Sequence, residues 1–144
     1  MNELSEDIDY NDCIPFVPPI TSGKVIKVYD GDTITIVSKL PYAESPMYKF
    51  NVRINGIDCP EIKSKCKEEK KIALLAKELV SSTLLGKIVK LENVTTEKYG
   101  RILADVILEE YNIAQLLIDN KLAVEYTGGT KQKGFDWIAY SDAH

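Results

Sequence analysis

Two β-branched runs, Lys24-Val25-Ile26-Lys27-Val28-Tyr29 and Thr33-Ile34-Thr35-Ile36-Val37, are separated only by Asp30-Gly31-Asp32. That spacing favours a hairpin turn between two strands. A third strand is expected from Met47 to Asn55, where Tyr48, Phe50, Val52 and Ile54 alternate with polar residues. From Lys67 to Leu85 the period becomes helical, with Ile72, Leu75, Ala76 and Leu79 expected on one face and Gly86 placed to end the helix. Strands are expected again over Lys87 to Glu92 and Ile102 to Leu108. Asn112 can then cap a short second helix to Asn120 that buries Ile113, Leu116 and Leu117. The order β-β-β-α-β-β-α suits an α+β, mainly β domain, a five-stranded OB-type barrel with two to three helices. Beyond Gly128-Gly129 an apolar cluster, Phe135, Trp137, Ile138 and Tyr140, is expected to pack back on the barrel.

A chain of 144 residues with 44% hydrophobic composition can bury one core without disulfides. Its start is not expected to join that core. Residues 1–22 hold five acids, Glu3, Glu6, Asp7, Asp9 and Asp12, no lysine or arginine, and three prolines between Pro15 and Pro19. This composition predicts a flexible acidic arm over 1–22 and a single domain over 23–144. The whole chain carries −4, which disfavours a polyphosphate partner, yet without those residues it stands at +1, with 18 positive charges against 17 negative.

The three cysteines, Cys13, Cys59 and Cys66, show no C-x-x-C spacing, which argues against a zinc site or a disulfide framework. The only histidine is the last residue, His144, so mechanisms that need a positioned imidazole are disfavoured. Any catalysis must rest on carboxylates, arginines or a metal. The N-terminal sequence lacks a signal-like apolar run, and no stretch approaches the roughly 18 apolar residues of a membrane span. The expectation is a soluble, intracellular, cytoplasmic monomer without a membrane partner.

Three segments carry chemistry: Asp30-Gly31-Asp32-Thr33, Arg53-Ile54-Asn55-Gly56-Ile57-Asp58-Cys59-Pro60-Glu61, and Tyr99-Gly100-Arg101. Each falls at a strand end or in a loop, where a rigid barrel can present side chains to a ligand. The chain uses sixteen lysines but only two arginines, Arg53 and Arg101, and both lie in these segments. Arginine's planar fork grips two phosphate oxygens at once, whereas lysine offers a mobile point charge. Asp32 and Asp58 both flank strands, so a barrel could bring them together; with a main-chain carbonyl and water they would form a calcium-like ligand set. Glu61 could then take a proton from an attacking water or orient it.

Each segment also has a purely structural reading. Asp-Gly is a common hairpin turn, Glu61 could favour a helix dipole, Tyr-Gly-Arg could lead a strand, and Arg53 could be a salt-bridged strand residue. Lys63 to Lys71, with five lysines and two glutamates, fits a substrate-facing loop as well as a solvated helix start.

Together and in this order, the three segments resemble the staphylococcal nuclease (thermonuclease-like) family, over roughly Gly23 to Thr130. The resemblance implies a calcium-dependent endonuclease that hydrolyses phosphodiester bonds of DNA and RNA with little sequence specificity, leaving 3′-phosphate ends. Asp32 and Asp58 would be the calcium carboxylates, Cys59 would supply a main-chain carbonyl, and Asp30 would stand behind them. The family often has threonine at the Cys59 position, and a thiol there adds an oxidation liability. Glu61 resembles the general base, and Arg53 and Arg101 the pair on the scissile phosphate. Tyr99 resembles the residue beside the nucleotide, and Tyr126 aligns with a base-stacking tyrosine to within a residue; Lys98, Lys131 and Lys133 could touch flanking phosphates, though each reads more readily as a solvated lysine. The same barrel also serves in the family as a catalytically silent nucleic-acid- or protein-binding module, which is the alternative reading.

Overall fold

The computed structural model describes residues 4–62, 65–97 and 100–126. β1 (Ser22–Asp30), β2 (Thr33–Lys39) and β3 (Met47–Ile54) form an antiparallel meander through the predicted Asp-Gly-Asp turn. A two-residue strand, β4 (Ile57–Asp58), precedes α1 (Lys67–Leu84). β5 (Ile88–Thr96) and β6 (Ile102–Leu108) then pair with each other, while β5 also pairs with β1. Parallel pairing of β3 with β6 closes the five long strands into a barrel, as the sequence order predicts. Like β4, two further short strands were not legible in the sequence: β7 (Tyr111–Asn112), against β6, and β8 (Val124–Glu125), against β4. Between them runs α2 (Ile113–Asp119), where the Asn112 side chain accepts the Ala114 N–H as the predicted cap.

Alternation does the sorting. Val25, Val28, Ile34, Ile36, Val52, Ile54, Val89, Leu91, Ile102, Ala104 and Val106 all point inward and are buried. α1 closes the barrel with Ile72, Ala76, Val80 and Leu84, a stripe repeating every four residues. Leu75, expected on that face, is 48% exposed because it lies one step off the stripe, and Ala73 is buried instead. Gly86 leaves the helix at φ +82° and donates its N–H to the Val25 carbonyl, joining the helix end to β1.

The chain meets the barrel slightly before residue 23. Ile20 is buried in the core, and the Thr21 carbonyl accepts the Leu91 N–H. Residues 4–17 are exposed, with one 3-10 turn at Tyr10–Asp12 in which the Asp9 and Asp12 carboxylates cap each other's backbone. Among the described residues no helix is long and apolar enough to cross a membrane. The predicted cluster from Phe135 to Tyr140 lies outside the described residues.

Candidate active site

The site begins with a glycine. A Cβ on Gly31 would stand 2.8 Å from the Ala76 Cβ of α1 and 3.0 Å from the Cys59 Sγ. Its backbone is therefore pressed between the helix and the loop after β4, which is more than a hairpin turn requires. This close approach aims Asp32 inward. Asp32 is buried and accepts hydrogen bonds from the Thr33 hydroxyl at 3.0 Å and the Cys59 N–H at 3.1 Å. The second bond sets its carboxylate against the Asp58–Cys59 peptide.

Arg53 follows from register. It stands directly opposite Thr33 across β2 and β3 and opposite Leu103 on β6, on the outer face of the barrel. Although it faces outward, Arg53 is only 6% exposed. Its Nη2 donates to the Ile57 carbonyl at 3.0 Å and lies 3.4 Å from an Asp58 oxygen, while Nη1 lies 3.9 Å from Asp32. The Tyr126 ring covers it, with its centroid 5.2 Å from the guanidinium carbon. Tyr126 is held there by β8, its N–H bonded to the Gly56 carbonyl. Gly56 turns at φ +85°, and Asp105 accepts the Asn55 amide at 3.1 Å and the Asn93 amide at 2.7 Å, bracing this loop against the β5 bulge.

These residues floor a pocket of about 640 Å³. Pro60, Glu61 and Ile62 line it from the loop after β4, and Arg101 and Glu97 from the turn between β5 and β6. Glu61 is exposed at the pocket edge. Arg101 Nε lies 2.9 Å from a Glu97 oxygen, with 43% of its side chain exposed. Lys27, Tyr29 and Lys77 also line the pocket and were not singled out in the sequence. Their signal was faint: Lys27 and Tyr29 share a strand with Asp30, and Lys77 is one of many helix lysines. The structure thus brings Asp32, Arg53, Cys59, Glu61, Arg101 and Tyr126 around one space, while Asp58, buried and 3.4 Å from Arg53 Nη2, stands beside Arg53 without lining it. Tyr99, Lys98, Lys131 and Lys133 lie outside the described residues.

Charge decides what the floor can hold. The buried charged groups here are the carboxylates of Asp32 and Asp58 and the guanidinium of Arg53, one more carboxylate than cation, a difference that a bound cation would offset. Among the described residues no three His, Cys, Asp or Glu side chains converge on one point, so an ion here would need main-chain and water oxygens beside Asp32 and Asp58. That hard, open oxygen set fits calcium. The Cys59 thiol offers no soft ligand. Its burial, and then the charges of Asp32 and Asp58, hold its pKa well above the usual thiol value, so the thiolate needed for oxidation is suppressed.

A family model described as staphylococcal nuclease homologue matches residues 51–137, more than half of the chain. The chain belongs to this family. The match takes in Arg53, Asp58, Glu61, Arg101 and Tyr126 and leaves out the β1–β2 hairpin; Asp32 comes to these residues through the Cys59 N–H and Arg53. No curated protein matches the chain significantly.

Proposed function

We propose that this pocket is the hydrolytic centre of a calcium-dependent nuclease acting on DNA and RNA. The observation that carries the reading is the placement of the two arginines. In a chain that otherwise uses lysine, one sits on the pocket floor between two buried carboxylates and the other on its rim. Asp32, Asp58 and the Cys59 carbonyl would hold the calcium ion, which would polarise a phosphate oxygen. Arg53, already oriented by the Ile57 carbonyl and Tyr126, would direct its fork at the phosphate. Arg101 would exchange Glu97 for the phosphate, an exposed pair that costs little to break. Glu61 would accept the proton of the attacking water, and the 5′-oxygen would leave, giving 3′-phosphate ends.

A second reading has one observation in its favour: each arginine already has a carboxylate partner, as in a barrel that binds nucleic acid or protein without cutting. Incubating purified protein with single-stranded DNA and RNA in calcium, magnesium or chelator separates the two. The nuclease reading expects cleavage in calcium, little in magnesium, whose octahedral geometry is stricter, and none in chelator. Binding without cleavage in all three would favour the silent module.

A further inference from the structure

Outside the pocket, the outer face of β1, β2 and β3 has an unusual charge pattern. The pairing register places its residues in rows. The first row, Asp30, Thr33 and Arg53, belongs to the pocket; the second is Lys27, Thr35 and Asn51; the third is Lys24, Val37 and Lys49; the fourth is Lys39 beside Met47. Beyond the first row this face carries four exposed lysines and no acid. Among the described residues none of the four makes an ion pair, whereas Lys90 on β5 pairs with Glu92 at 3.1 Å. Lys27 lies over the Tyr29 ring at 5.9 Å, but like charges gathered on one sheet face oppose folding, and no ion pair among the described residues compensates the other three.

We infer that this face is a lane for a single strand of nucleic acid leaving the pocket, in which Lys24, Lys39 and Lys49 take the flanking phosphates. The inference rests on the nucleic-acid reading of the pocket. Continuity and charge both support it: Lys27 and Thr33 belong to pocket and lane alike, and a polyphosphate complements a face that is basic throughout. Dimensions agree. Successive rows lie about 6.6 Å apart and three strands span about 10 Å, which gives a lane roughly 20 Å long that suits one strand better than a duplex. Thr35 and Asn51, whose side chains bond each other at 2.9 Å, offer polar groups between the lysines.

The test is equilibrium binding of an oligothymidylate of about a dozen nucleotides across a salt series, in chelator so that nothing is cut. A Lys24→Gln, Lys39→Gln, Lys49→Gln variant is compared with wild type and with a charge-matched Lys67→Gln, Lys70→Gln, Lys71→Gln control on α1. Three lost phosphate contacts should lower the slope of log K against log salt by about 2 and weaken binding at least about tenfold at low salt. A dinucleotide confined to the pocket should bind both variants as it binds wild type. An unchanged slope, or an equal drop in the control, would overturn the lane while leaving the pocket reading intact. Failure of wild type to bind the oligonucleotide in chelator, together with failure of Glu61→Gln to bind it in calcium, would overturn both. Binding with the expected slope difference but no hydrolysis in calcium would support the lane and sink the nuclease reading alone.

Discussion

The chain's two arginines occupy opposite environments. Arg53 is 6% exposed and fixed on the floor by the Ile57 carbonyl, Asp58 and Tyr126, while Arg101 sits on a turn, with its side chain 43% exposed and paired with Glu97. The floor is preorganised, its geometry set by strand register and a glycine contact. The rim can reorganise at little cost. Preorganised charge acts without rearrangement at the moment of reaction, so a hydrolytic site divides well into a rigid floor and an adaptable rim.

Substituting Arg53 should have the largest effect. Arg53→Met leaves two buried carboxylates facing each other and should lower stability by about 3–5 kcal/mol besides abolishing activity. Denaturant melts would show it, and an unaffected midpoint would mean the floor is wetter than its burial implies. Arg53→Lys should lower turnover at least about a hundredfold. Arg101→Lys should lower turnover by a similar factor of about a hundred, but with stability within about 1 kcal/mol of wild type. Equal destabilisation by the two lysine variants would erase the distinction between floor and rim.

Gly31→Ala tests how the floor is aimed. The added methyl meets the Cys59 Sγ and the Ala76 Cβ, of which the second is fixed to the helix backbone and cannot swing away, so a loss of about 1–3 kcal/mol is expected, with turnover falling as Asp32 shifts. A wild-type melt would show that the helix yields.

Much of this was legible in the sequence. Hairpin, barrel order and Asn112 cap followed from alternation and turn chemistry, because those signals are local. Leu75 was misjudged because several stripes are open to a helix with this many apolar residues, and only the barrel's shape selects among them. β4 and β8 were invisible: a two-residue strand has no period, and their pairing exists because Tyr126 returns over Gly56. The segments holding Asp32, Arg53, Asp58 and Arg101 stood out by residue type. That Arg53 is buried while facing outward did not, since it depends on a ring contributed 73 positions later.

The arm extends the contrast beyond the pocket. Removing residues 1–17 takes away five acids, raises net charge from −4 to +1, and stops short of buried Ile20. If the arm competes with phosphates for the lysines, truncation should tighten binding of single-stranded DNA, most at low salt, and steepen the salt dependence. Superimposed salt series for the two proteins would end that idea. The smallest effect concerns thiols. Exposed Cys13 and Cys66 should react with a thiol reagent at mildly alkaline pH, while Cys59 should wait for unfolding. A third rapidly reacting thiol would show that the floor opens.

The central claim, that the pocket hydrolyses phosphodiesters with Glu61 as its base, is tested most directly by single-turnover cleavage of a 5′-labelled oligonucleotide in calcium, for wild type and Glu61→Gln. The amide keeps shape and reach but cannot accept the proton. The account predicts calcium-dependent cleavage to 3′-phosphate ends by wild type, and a chemical step slowed about 10²–10⁴-fold in the variant with oligonucleotide affinity unchanged. Equal cleavage by the two proteins, or wild-type cleavage that persists in chelator, would contradict it.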